Sequence, residues 1–478
     1  MRVRLACTAV ALLLVPSAGA APATTTFAAL GAQAESTLLH VFYAGHGEWN
    51  SCGPPGCGHS NQDWGVDSLT DALALRHDAR ATATLRALIA TSPSYGAPCA
   101  TAQGCGWSDV PEWDAISAVR EYQATHDPHA LTKAEAAFAY VEHAAVFAVG
   151  ACPAIRYQQP AGEANQLKTL ETDANAIKAS LLLYAVTKSA SYLASARSHY
   201  ASVRQYFLDP AVPLYSVYVF DDGTSCTQVP HRFFASVNGD MIWSGVELWR
   251  DTGQRQYLDD AVATGAAIRR LDDPAGIFTD LQAENDIVEP LVEGMLALAQ
   301  RARSASARAW ILRNAAAAVS ARAPDGTYGR FFDGPPPRTM TTAWQSNGGL
   351  ALELAAALLA PKQRVQLVQR EWTTTTRSIG LGDTVKFNGT AVALLGTLGA
   401  HCCEAGHARL FVDGVETFDG TGIWQNKSSS GRSIPGTVLF AWRWPRAGAH
   451  TITFAPGVPN AKEGGPFLEL SGFEVRQR

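Results

Sequence analysis

Two stretches decide the fold: LYAVTKSASYLASA at residues 183–196 and LWRDTGQRQYLDDA at residues 248–261. Leu183, Thr187, Tyr192, Leu193 and Ala196 recur at identical spacing as Leu248, Thr252, Tyr257, Leu258 and Ala261. Thr125, Leu131 and Ala134 form a fainter copy. Each copy reads as the end of one helix, a short turn and the start of the next, with the Tyr-Leu and Ala positions packing the second helix onto the first. Stacked helical hairpins bury a shared core that no single hairpin can make.

Apolar residues at helix spacing predict twelve helices between Phe27 and Leu359. They fall near 27–44, 64–77, 79–92, 111–126, 130–148, 172–187, 190–207, 239–252, 255–270, 284–301, 304–322 and 341–359. Six hairpins close naturally into an all-α (α/α)6 toroid; an open solenoid is the alternative. After Pro361 the pattern changes to short β-rich segments near 365–371, 384–387, 392–395, 408–412, 437–442, 450–454 and 467–475. Asp413-Gly414, Asp419-Gly420 and Ala447-Gly448 punctuate them, the spacing of an all-β sandwich. The expected organisation is a helical domain over 27–360 and a β-sandwich over 363–478.

The N-terminus reads as an export signal over residues 1–20. Arg2 and Arg4 precede an apolar run from Leu5 to Val15, and Ala18-Gly19-Ala20 supplies a small-residue cleavage site. No apolar stretch is long enough to span a bilayer. The formal net charge is −5 and no Lys/Arg block stands out, which speaks against nucleic acid and anionic membrane as partners. A neutral polysaccharide suits that balance, and a monomer is expected. Eight of the nine cysteines lie beyond the signal, an even number that suggests disulfides in an exported chain. Cys52 with Cys57 and Cys99 with Cys105 are local candidates, Cys152 with Cys226 a longer one, and Cys402-Cys403 an adjacent pair.

Polar and aromatic residues gather in loops and at helix starts: Asn61 to Trp64 with Asp67, Gly106 to Asp114, Ile155 to Tyr157, Glu171 to Asn175, Asn238 to Asp240, and Asp280, Glu284 and Asp286. In a closed toroid such loops open at one end and converge on one cleft. Cleaving a glycosidic bond takes two carboxyl groups, one as acid and one as nucleophile or base. Asp109 is the leading candidate for nucleophile or base. Pro111 suits a first helical turn, so Asp109 is expected just before the positive helix end, which favours its ionised form. Glu112 is the first choice of acid, with Asp114, Asp63 and Asp240 as other candidates for a second carboxylate. Trp64, Trp107, Trp113 and Tyr157 offer flat apolar faces for sugar rings, and Asp63, Asn175, Asn238 and Asp240 are candidate sugar contacts. His59, His126 and His143 are scattered and read as surface or capping residues, so no metal is expected. The chain has no phosphate-binding motif at a strand–helix junction, and no cofactor is expected.

Residues 27–359 resemble glycoside hydrolase family 76, the α-1,6-mannanase family with an (α/α)6 fold. The likeness rests on the Trp64 helix start, the Trp107–Ala115 loop and Cys152 to Tyr157 before the helix carrying Asn175. Asn238 opening a further helix and the Thr252-Gly253 turn before Tyr257-Leu258 complete it. The resemblance implies a catalytic pair of consecutive aspartates at Ser108–Val110. Asp109 matches the first, whereas Val110 stands at the second and cannot ionise. Glu171 stands where the family's lysine-asparagine pair would lie. The C-terminal part resembles galactose-binding-like sandwiches, with Trp424, Asn426 and Lys427 in a loop suited to a glycan. Three functions follow: a secreted glycoside hydrolase on a polysaccharide such as an α-mannan; a non-catalytic glycan-binding protein; or a polysaccharide lyase using His143 and Tyr157.

Overall fold

The computed structural model describes residues 23–49, 60–96, 108–144, 150–152, 167–229, 233–279, 288–338, 343–368, 370–398, 407–417, 423–424, 433–456 and 470–477. Twelve α-helices fall among them: α1 (Phe27–Thr37), α2 (Ser60–Leu75), α3 (Ala79–Thr91), α4 (Asp109–Thr125), α5 (Pro128–Ala144) and α6 (Leu170–Thr187). They continue with α7 (Ala190–Tyr206), α8 (Ala235–Thr252), α9 (Arg255–Ala267), α10 (Glu289–Gln300), α11 (Ala305–Ala318) and α12 (Ala343–Leu359). Each expected helix is present, with ends displaced by a few residues. Among the described residues no helix is long and apolar enough to cross a membrane.

The repeated stretch is a helix-end device. Thr187 donates its hydroxyl to Leu183 O at 2.8 Å and accepts Ser189 N–H at 3.2 Å. Thr252 does the same with Leu248 O and Gln254 N–H, and Thr125 with Glu121 O and Asp127 N–H. The residue after each Thr takes a left-handed conformation and stops the helix: Lys188 at φ 59°, Gly253 at φ 72° and His126 at φ 57°. His126 is therefore the capping residue expected of it. The chain then reverses, and Ala196 and Ala261 are buried as it returns. At the second turn the approach is close enough that a Cβ on Gly245 would meet Ala261 Cβ at 3.0 Å.

Burial separates inner from outer helices. In α6 every residue from Thr172 to Leu183 is buried, whereas α7 buries Ala196, His199, Tyr200 and Val203, a single stripe. The inner helices contact one another in order: α2 on α4, α4 on α6, α6 on α8, α8 on α10, α10 on α12, and α12 back on α2. Helices α3, α5, α7, α9, α11 and α1 pack beside them. Inner helices α8 and α10 meet through glycine: a Cβ on Gly239 would lie 2.3 Å from Leu291, and one on Gly294 2.4 Å from Gly239 O. Any side chain there would push the two helices apart.

Short strands tie the helical part together. β1 (Thr24–Thr26), β2 (Tyr43–Gly45), β3 (Glu48–Trp49), β4 (Leu167–Thr169), β5 (Tyr218–Asp221), β6 (Cys226–Gln228) and β7 (Arg364–Gln366) form small antiparallel sheets. The segment expected as a first strand at 365–371 is β7, which pairs with β1 rather than with the C-terminal sheet. Cys152 and Cys226 form a disulfide, as expected. Beside it the buried ammonium of Lys168 lies 3.0 Å from Asp221 and reaches Cys152 O. The other candidate cysteines lie outside the described residues.

The C-terminal sheet contains β8 (Thr373–Ile379), β9 (Thr384–Leu398), β10 (His407–Val412), β11 (Val415–Glu416), β12 (Ile423–Trp424), β13 (Ile434–Pro456) and β14 (Leu470–Arg476). All pairings are antiparallel, in the order β11-β10-β13-β9-β14-β8, with β12 on β10. Four expected strands merge into two. Residues 384–387 and 392–395 belong to β9, and 437–442 and 450–454 to β13, with register shifts that include Arg443/Gly448. The Gly-containing stretches between them, read as turns, are irregularities inside continuous strands. Asp413-Gly414, at φ 52° and 80°, makes the tight hairpin turn between β10 and β11. Val385 and Phe387 from one half of β9 share one buried core with Val392 and Leu394 from the other.

Helical and β parts are joined by polar contacts. Thr279 donates to Ala441 O at 3.1 Å, Asp273 accepts Arg443 N–H at 3.1 Å, and Arg338 pairs with Glu474 at 2.6 Å. Burial, and then the nearby Asp333 carboxyl, pushes Asp273 far above the ordinary carboxylate range, so it holds a proton in this seam.

The disulfide encloses α6 and α7 in a loop spanning 74 residues. Cys226→Ser is expected to lower unfolding stability by about 2–4 kcal/mol. Urea melts of variant and wild type with and without reductant check this; overlapping curves would show that the link contributes nothing.

Candidate active site

Five inner helices send charged side chains into one shared interior. Lys178 of α6 is at its centre, fully buried, with its ammonium 3.1 Å from Asp240 of α8, 3.5 Å from Asp67 of α2 and 2.5 Å from Glu293 of α10. Arg120 of α4 lies 3.4 Å from Asp67 and also pairs with Glu293. Both cations sit over the ring of Trp243 on α8, at 5.5 Å for Arg120 and 5.9 Å for Lys178. Asp71 of α2 and Glu289 of α10 add two further carboxyl groups.

The electrostatics follow from burial and counting. Among the described residues, Asp67, Asp71, Asp240, Glu289 and Glu293 face two central cations, Arg120 and Lys178, with a weaker pull on Asp71 from Arg301, so some carboxyl groups keep protons. Burial, and then the charge of Asp67, drives Glu289 well above its ordinary range. Asp71 is pushed up to about 6 by burial, against the pull of Arg120. Asp240 is also raised, because burial outweighs the attraction of Lys178. Burial opposes the charge on Lys178, but Asp240, Asp67 and Glu289 together overcome it, and it remains an ammonium. Oxygens of Asp67, Glu289 and Glu293 lie within 4.8 Å of one another, a set able to hold a hard cation. The Lys178 ammonium already supplies positive charge to two of the three.

Asp109 stands above this floor. It is the first residue of α4, so the helix begins two residues earlier than Pro111 suggested, and Asp109 lies inside the first turn rather than before it. Eleven residues separate it from Arg120, which returns the helix to within about 20° of the same direction and places Asp109 about 16 Å nearer the N-terminal end. It is half-buried, as is Glu171 on the neighbouring helix α6.

The other expected site residues fall in several places. Glu112 is in the same first turn as Asp109 but fully buried. Asp114 is buried and accepts the hydroxyl of Tyr95 at 2.5 Å. Trp113 and Asn175 are buried within α4 and α6. Asn238 uses its amide on backbone, accepting Tyr215 N–H at 2.8 Å and donating to Tyr215 O and Phe234 O. Asp240 belongs to the Lys178 cluster. Trp107 and Tyr157 lie outside the described residues, as do the side chains of Asp63 and Trp64. Lys178, Arg120, Asp71, Glu289 and Glu293 were not singled out from sequence. The available signal was Lys178 itself, a lone charge within the apolar run AIKASLLL at 176–183.

No protein-family model matches the chain, and no curated protein matches it. Among solved structures the chain is similar to the GH76A α-1,6-mannanase from Salegentibacter sp. HEL1_6, at 17% identity over 70% of this chain and 99% of that one, with a TM-score of 0.61. An inactive variant of that enzyme in complex with α-1,6-mannotriose matches at 16% identity over 70% of this chain and 99% of that one, also with a TM-score of 0.61. A GH76 α-mannanase from Bacteroides thetaiotaomicron matches at 15% identity over 70% of this chain and 96% of that one, with a TM-score of 0.58. The expected likeness to family 76 is thus present in the fold.

Breaking the central pairs leaves buried carboxylates uncompensated. Lys178→Met is expected to cost about 3–5 kcal/mol of unfolding stability, measured by urea melts at pH 7; a loss below 1 kcal/mol would show that the cluster carries no such dependence.

The raised acids also make stability depend on pH. Asp71 has a folded value of about 6 and an ordinary value of 3.8. Its contribution is complete below about pH 4 and lost as pH rises through 6, with Glu289 extending the loss upward. Glu289→Gln is expected to shrink the fall in melting temperature between pH 4 and pH 8. Parallel profiles for variant and wild type would contradict that.

Proposed function

We propose that this chain is an exported glycoside hydrolase acting on a polysaccharide with α-1,6-linked mannose. Its inner helices form the barrel of an (α/α)6 toroid over residues 27–360, and residues 363–478 form a β-sandwich that holds glycan. Residues 1–20 are an export signal, in keeping with the Cys152–Cys226 disulfide.

The carrying observation is the place of Asp109. It is half-buried at the first turn of α4, on the same helix stripe as Arg120 and above the charged floor. The positive helix end favours its carboxylate form there. An ionised carboxylate at the mouth of a closed helical ring serves as nucleophile or as the base that activates water. Glu112, buried beneath it, supports the turn and does not reach the sugar. Trp64, Trp107 and Tyr157 are the proposed stacking faces for sugar rings, and Asp63 a proposed polar contact, on the strength of the sequence.

The likeness to α-1,6-mannanases in fold supports this substrate class. Asp109→Asn keeps size and hydrogen bonding while removing the charge. It is expected to lower reducing-end release from α-1,6-mannan by at least about 10³-fold, with an unchanged melting temperature. A loss smaller than tenfold would remove Asp109 from the mechanism. Glycan binding without release by the wild type would make the protein a binder.

A further inference from the structure

One face of the C-terminal sheet is turned to the helical part. Ala393 of β9 pairs with Ala441 of β13 on one side and with Glu474 of β14 on the other. Residues paired across a sheet share a face. Phe331, from the chain between α11 and α12, packs against Ala393 and Ala441, so the row that ends in Glu474 faces the helices. Two alanines keep that row shallow.

Beside it lies a pocket of about 490 Å³, within the roughly 300–1,000 Å³ usual for small-molecule sites. The helical part supplies Phe331 and three consecutive prolines, Pro335, Pro336 and Pro337, and the sheet supplies Leu395 and Val438. These make apolar walls. Arg330 and Gln345, the latter in the first turn of α12, add polar lining. In the ring α2 stands between α12 and α4, so this pocket is apart from Asp109.

Its polar edge is the ion pair of Arg338 and Glu474, both of which line it. Arg338 reaches Glu474 Oε1 at 2.6 Å and donates to the Thr374 hydroxyl at 3.1 Å. Thr374 in turn donates to Oε1 at 2.8 Å. One carboxylate oxygen is thus held by two donors. The other, Oε2, is buried and has no hydrogen-bond partner among the described residues. A buried acceptor left this way is costly, and a ligand bringing a donor removes the cost.

The chemistry of the lining narrows the ligand. A carboxylate accepts hydrogen bonds and repels anions, so the ligand must donate. The neighbouring guanidinium, largely exposed, only donates, so the same ligand must also accept. The walls ask for C–H surface. A neutral hydroxylated ring meets all three demands, because its hydroxyls both donate and accept while its faces are apolar.

We propose that this pocket is a second glycan subsite, taking a neutral pyranose of the polysaccharide between the helical part and the sheet. The choice of mannose as that pyranose rests on the hydrolase reading above.

The test is calorimetric titration of the full chain with α-1,6-mannotriose, in an Asp109→Asn background that prevents turnover. It compares the intact pocket with one filled by Val438→Trp and one altered at its acceptor by Glu474→Gln. A binding step is expected in the parent and is expected to weaken at least about tenfold in both variants. Melting temperatures check folding. Should Glu474→Gln unfold through loss of its pair with Arg338, Val438→Trp decides alone, since it removes no charge. No binding by the parent, or an isotherm unchanged by Val438→Trp, would overturn the pocket. Reducing-end release from α-1,6-mannan by the chain with Asp109 intact separates the two readings. Release without pocket-dependent binding overturns the subsite alone; pocket-dependent binding without release overturns the hydrolase reading alone.

Discussion

An ammonium group cannot be left unpaired in the middle of a protein, and Lys178 is fully buried at the centre of the ring. Its compensation comes from three other helices, since Asp67, Asp240 and Glu293 belong to α2, α8 and α10. Arg120 on α4 ties Asp67 to Glu293 a second time. Sliding any of these helices by one turn would move a carboxylate about 5 Å and strand a buried charge. The charges thus set the relative heights of five inner helices. Packing adds its own constraint, because Gly239 and Gly294 let α8 and α10 approach closely enough for Asp240 and Glu293 to reach one ammonium.

That register decides what happens at the other end of the same helices. Asp109 and Glu171 are each in a first helical turn, where free backbone N–H groups and the helix dipole favour negative charge. A side chain on the first turn of a packed helix is also held more rigidly than one on a loop. The Thr-centred turns at 125, 187 and 252 lie at the opposite ends of α4, α6 and α8 and return the chain through the outer helices. Three similar turns therefore bring successive inner helices back in the same direction.

Sequence showed the hairpins because their signal is local. A Thr hydroxyl, a left-handed residue after it and a small Ala nine residues beyond the Thr are enough to turn a helix back on itself. The C-terminal strands were only partly legible. β8, TTTTRSI, is exposed at every position but Ile379 and so shows no alternation. β9 and β13 were split at glycines that mark a bend rather than an end. Of the central cluster only Asp67 and Asp240 were singled out, and Lys178, Arg120, Asp71, Glu289 and Glu293 were missed for a different reason. Its members are one or two per helix and come together only through the ring, so no window of sequence contains them. Asn238 looked like a sugar ligand because it is polar and near a helix start. Such a position serves equally to satisfy backbone, and that is what its amide does.

The floor and the mouth handle protons differently. Burial keeps Glu289 protonated and raises Asp240, but a proton donor has to touch the oxygen it protonates, and these groups lie beneath the ring's inner surface. Raising a pKa by burial alone therefore produces a stable floor and no catalyst. A carboxyl group that is only half-buried, as Asp109 is, lies where a substrate can reach it. The floor's surplus carboxyl groups keep their protons, so the charges that remain are largely matched by Arg120 and Lys178.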